Sequence, residues 1–80
     1  MQAMQHHATQ AAQYRGEARF LSDAIRNTQR DAAIIRANCE HYGDAAYYQS
    51  ERKALLRELI ELRQLRNAAL FQAELHRQFC

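Results

Sequence analysis

The residues Ala11, Tyr14, Ala18, Leu21, Ile25, Thr28, Ala32, Ile35, Cys39 and Tyr42 stand alternately three and four apart, and only Thr28 among them is polar. That spacing keeps one narrow edge of an α-helix facing the same way for many turns, so the stripe must lie against another helix. It ends at Gly43 and Asp44. Glycine supplies the left-handed conformation that stops a helix. Aspartate can cap the next one by accepting a backbone N–H, and its charge suits the N-terminal dipole.

Beyond this turn a second apolar line runs through Tyr48, Leu55, Leu59, Leu62, Ala69, Ala73 and His76, interrupted by Arg52 and Arg66. The expected fold is therefore all-α: an antiparallel, coiled-coil-like helical hairpin in a single domain over residues 1–80. Residues 1–8 are polar and expected to fray, followed by a helix over about 9–41, a turn at 42–44 and a helix over about 45–78. The turn sets Leu62 beside Ile25, Leu55 beside Ala32 and Ala69 beside Ala18. A competing arrangement breaks a helix near Gly16 or after Asn67 and folds one end back as a third helix.

Proline is absent, glycine occurs only at 16 and 43, and the remaining residues favour or tolerate helix. A chain of 80 residues builds only a marginal core by itself, so completion by oligomerisation or by a partner helix is expected. Helix two also carries more apolar surface than one neighbour can cover. Leu56, Ile60, Phe71 and Leu75 point away from its seam, as Phe20 and Ile34 do on helix one, which marks a second packing surface. Arg52 and Arg66 either carry their charges past the seam to water or meet a partner's carboxylates. The expected partner-binding residues are thus Leu56, Ile60, Phe71, Leu75, Arg52 and Arg66.

Lys and Arg number 11 against 9 acids, a net charge of +2, and Arg19 with Asp23, Arg36 with Glu40 and Arg57 with Glu61 stand four apart. These pairs read as a solvated helix surface. A nucleic-acid partner is not expected, because backbone binding wants a concentrated basic face. The rival reading, a small phage- or plasmid-type regulator, would rely on Arg15, Arg19, Arg26, Arg30 and Arg36, whose angular spread argues against one groove-facing stripe. The apolar runs are too short to span a bilayer, and the first residues lack the pattern of a secretory signal, so a cytoplasmic setting is expected.

No nucleophile sits in a recognisable elbow and no Gly-rich phosphate loop exists, so no enzyme activity and no cofactor are expected. His76 and Cys80 lie on one helical face near His7 and His6, but without the spacing of a zinc finger or knuckle, and no metal is expected there. Cys39 reads as a small buried hydrophobe and Cys80 as an exposed thiol that could bridge chains under oxidation. Tyr42, Tyr47 and Tyr48, with His41, surround the turn as a cap on the hairpin core or as an anchor for a partner.

The stretch Gly43-Asp44-Ala45-Ala46-Tyr47-Tyr48-Gln49 resembles the loop and second-helix start of the small helical-hairpin co-chaperones of type III secretion needle subunits, and the helix-turn-helix plan extends the likeness over most of the chain. This chain has a longer polar start and a longer second helix, and is richer in Arg. The resemblance implies a cytosolic protein that, with a second, repeat-containing chaperone, keeps an aggregation-prone helical needle subunit monomeric before export. It carries over no catalytic residue. The function expected is a non-enzymatic chaperone or adaptor that binds a helical protein, with a structural homo-oligomer or the nucleic-acid regulator as alternatives.

Overall fold

The computed structural model describes residues 2–43 and 45–79, apart from the side chains of residues 2–4, 41 and 42. It contains two helices, α1 (Gln2–Tyr42) and α2 (Ala45–Gln78), packed along their length as an antiparallel hairpin whose Cα atoms span 62 × 14 × 12 Å. Both helices run unbroken through Gly16 and Asn67, so the third-helix arrangement does not form. α1 starts at Gln2, well before the expected position near residue 9.

The turn follows from one backbone angle. Gly43 adopts φ +72°, and its N–H donates to the Cys39 carbonyl at 2.8 Å. That single bond to the residue four back is the left-handed closure that satisfies an otherwise orphaned helix carbonyl. The capping role expected of Asp44 lies outside the described residues.

The seam carries the stripe read from the sequence. On α1, Ala11, Ala18, Leu21, Ile25, Thr28 and Cys39 are buried, and Tyr14, Ala32 and Ile35 are half-buried between them. On α2, Leu59, Ala69 and Ala73 are buried and Tyr48, Leu55, Leu62, Arg66 and His76 half-buried. Ala18, Leu21 and Ala69 form one cluster with Tyr14 and Leu62 against it, which joins Ala69 to Ala18 as the expected register requires.

Among the described residues, half of the buried apolar side chains are alanines: Ala11, Ala18, Ala69 and Ala73. Alanine brings the two helix axes close but removes little apolar area from water, so each layer stabilises the hairpin less than a layer of leucines would. A thin seam is the consequence, and it leaves large apolar side chains on the outside.

Arg52 departs from the line assigned to it. Its side chain is exposed, while the neighbouring Glu51 is half-buried. A long aliphatic stem lets the Arg52 charge stay in water beside the seam. Arg66, by contrast, does occupy its seam position, and its Nε is buried without a hydrogen-bond partner.

Candidate functional site

Two features distinguish the outside of the hairpin: unburied apolar side chains and a division of charge between its two flanks. Both arise from how little of each helix a two-helix seam covers.

The expected partner-binding residues are all on the outer surface except Arg66. Phe71 is 65% exposed, Ile60 55%, Leu56 42% and Leu75 38%, and Phe20 on α1 reaches 71%. Ile34 is exposed as well. The structure adds Leu65, Leu70 and Phe79, which the apolar lines did not single out. Leu65 and Leu70 stand immediately beside the seam positions Arg66 and Ala69, and a third helix would be needed to cover them.

The charge division emerges when both helices are considered together. In an antiparallel pair, residues one and four places past the Ala11, Ala18, Ile25, Ala32, Cys39 row of α1 share a flank with those one and four places past the Arg52, Leu59, Arg66, Ala73 row of α2. A groove of about 330 Å³ on this flank confirms the pairing: its lining brings Ala33, Arg36 and Glu40 together with Arg52, Leu56 and Leu59. To this flank α1 contributes Arg15, Arg19, Arg26 and Arg36, and α2 contributes Lys53, Arg63 and Arg77. Arg52 leans the same way.

The opposite flank takes residues one place before, or two after, the same rows. Its charged side chains are Glu17 and Asp31 from α1 and Glu51, Glu58 and Glu61 from α2, with no Lys or Arg among them. The sequence expectation of a mixed surface is therefore corrected: of the five arginines assigned to the nucleic-acid rival, Arg15, Arg19, Arg26 and Arg36 do share one flank. Only Arg30 points elsewhere, straight away from the seam.

Ion pairs within the helices do not cancel this division. Arg36 Nε donates to Glu40 at 3.1 Å, and Arg77 donates to Glu74 from Nε at 2.9 Å and from Nη2 at 2.6 Å. Hydrogen bonding by Arg77 holds the Glu74 carboxyl below its usual range against the opposing effect of desolvation, with a lesser contribution from the Arg77 charge. Both acids on the basic flank are thus already engaged. Asp23 pairs with Arg26 rather than with Arg19, and Arg57 makes no ion pair with Glu61. Among the described residues, no carboxylate of the acidic flank has a salt-bridge partner.

At the open end of the hairpin, the histidines considered for metal binding pack as rings instead. His7 Nδ1 lies 2.9 Å from His76 Nδ1, so one imidazole donates and the other accepts. Tyr14 stacks on His76 at 5.7 Å and Phe79 on His7 at 5.2 Å, with His6 edge-on to both histidines. Among the described residues no group of three or more His, Cys, Asp and Glu is arranged to hold a metal ion, and Cys80 lies outside them.

Cys39 is buried on the seam. Near the turn, Tyr48 turns into the groove and Tyr47 outward, while the side chains of His41 and Tyr42 lie outside the described residues. Among the described residues no helix is long and apolar enough to cross a membrane. Comparison with protein families, curated proteins and solved structures finds no match.

Proposed function

We propose that this hairpin is a non-enzymatic interaction module, a small chaperone or adaptor that lays its outer apolar surface against a helical protein. The observation that carries the reading is the combination of a thin, alanine-rich seam with exposed Leu56, Ile60, Leu70 and Phe71 on α2. Isolated exposed hydrophobes are ordinary, but several large ones on a single helix whose other side is already packed call for a covering surface. The likeness of residues 43–49 to needle-subunit co-chaperones supports the same class of work, holding a helical client apart from its own kind in the cytoplasm.

The test compares the chain with the double variant Leu56→Gln/Phe71→Gln, each purified from its host under gentle conditions. Both side chains are outside the seam, so the variant should keep its helicity and its urea midpoint. The expected result is that it loses the chains that accompany the parent protein. Identical accompanying chains and identical mass in solution for the two proteins would overturn the assignment.

The nucleic-acid reading gains one observation, the cations gathered on one flank. The carboxylates of the other flank oppose it, because a phosphate backbone would be steered away from half of the molecule. Gel retardation with duplex DNA at low and high salt separates the readings. Binding that falls steeply with salt would favour the regulator, and no binding at low salt removes it.

A further inference from the structure

We infer that the covering surface is a second copy of this chain, stacked laterally so that the acidic flank of one hairpin meets the basic flank of the next. This rests on the interaction-module reading and names the partner. Three observations support it independently of one another.

The first is charge. Among the described residues, Glu17, Asp31, Glu51, Glu58 and Glu61 lie on one flank without salt-bridge partners, while Arg15, Arg19, Lys53 and Arg63 lie on the other and make no ion pair either. A single chain cannot bring these sets together, because they face opposite directions. A neighbouring copy can, and the juxtaposition of unlike charges along an interface fixes both choice of partner and register.

The second is spacing. On the acidic flank, Phe20 and Ile34 are 14 residues apart, each three places after an acid, Glu17 and Asp31. On the basic flank, Leu56 and Leu70 are also 14 residues apart, with Arg63 midway. At 1.5 Å per residue both intervals are about 21 Å, so two apolar contacts close at once when α1 of one copy lies along α2 of the next. The same placement directs Glu58 and Glu61 of α2 toward Arg19 and Arg26 on α1 of the neighbour.

The third is area. The hairpin is 62 Å long and 14 Å wide in its Cα envelope, so one flank has the extent of a standard interface, about 800 Å² per partner. On the basic side that flank includes the groove floored by Leu55 and Leu59, where the small Ala32, Ala33 and Ala37 leave room for an incoming side chain. Because the two contacting flanks differ, the association is head-to-tail in character and continues into a ring or an open stack rather than stopping at two chains.

Sedimentation equilibrium on the full chain tests this. At low salt the mass should rise with concentration above the 9.3 kDa of one chain. At about 1 M salt, where charges more than a few ångströms apart are screened, it should fall toward one chain. Glu58→Arg/Glu61→Arg blocks the acidic flank, and Lys53→Glu/Arg63→Glu blocks the basic flank. Each double variant alone should sediment as a single chain with unchanged helicity. An equimolar mixture should stop at two chains, since each variant keeps the face the other needs.

A parent protein that stays a single chain at low salt over all concentrations overturns the stack, and so do double variants that keep the parent mass. A mixture that remains monomeric overturns it as well. If the parent is monomeric yet retards duplex DNA, the occupant of the basic flank is nucleic acid instead. Failure here is distinct from failure of the broader reading. A monomeric parent refutes self-stacking alone, whereas Leu56→Gln/Phe71→Gln with unchanged accompanying chains refutes the interaction surface itself.

Discussion

The two glycines show how one residue type can act in opposite directions at two positions. Gly16 lies inside α1 with nothing within 4 Å of where a Cβ would stand, and its backbone is helical. Gly16→Ala should therefore stabilise the hairpin by about 1 kcal/mol, through helix propensity and a less flexible unfolded chain. Gly43 has equal space around it but a φ of +72°. There the same substitution should destabilise by about 1–2 kcal/mol, because an L side chain resists the left-handed region. Urea titrations of the two variants should move the midpoint in opposite directions. Gly43 was legible in the sequence as a stop signal beside Asp44, whereas Gly16 offered a possible break that the continuous α1 does not take.

At the scale of elements, the seam of α1 was readable because its period of seven survives over many turns and needs no knowledge of the partner. Less could be read where the deciding contact is remote. α1 starts at Gln2, and near that end His7 meets His76, 69 residues away, a bond to which a local reading of a polar, histidine-rich segment has no access. The flanks were missed for a related reason. Counting four residues along one helix pairs Arg19 with Asp23 and Arg57 with Glu61, whereas the surface is organised by what the antiparallel neighbour places alongside. On α2, Arg66 interrupts the apolar line with a buried Nε that has no partner. An unsatisfied buried donor costs roughly 1–3 kcal/mol, so Arg66→Met, similar in length and without the donor, should raise stability by about 1 kcal/mol. A lower urea midpoint in that variant would show that the guanidinium contributes more at its wet end than it loses at its buried one.

For the whole molecule, the separation of charge matters more than its total. A net charge of +2 describes a nearly balanced chain, yet the opposing signs lie on opposite long sides of a rod 62 Å in length. Such a body carries a dipole directed across its width, and nearby surfaces sense the flank in front of them rather than the sum. At neutral pH and low ionic strength, the hairpin should be retained by both sulfonate and quaternary-amine resins, turning a different side to each. Reversing Glu58 and Glu61 to Arg should abolish retention on the amine resin and strengthen it on the sulfonate.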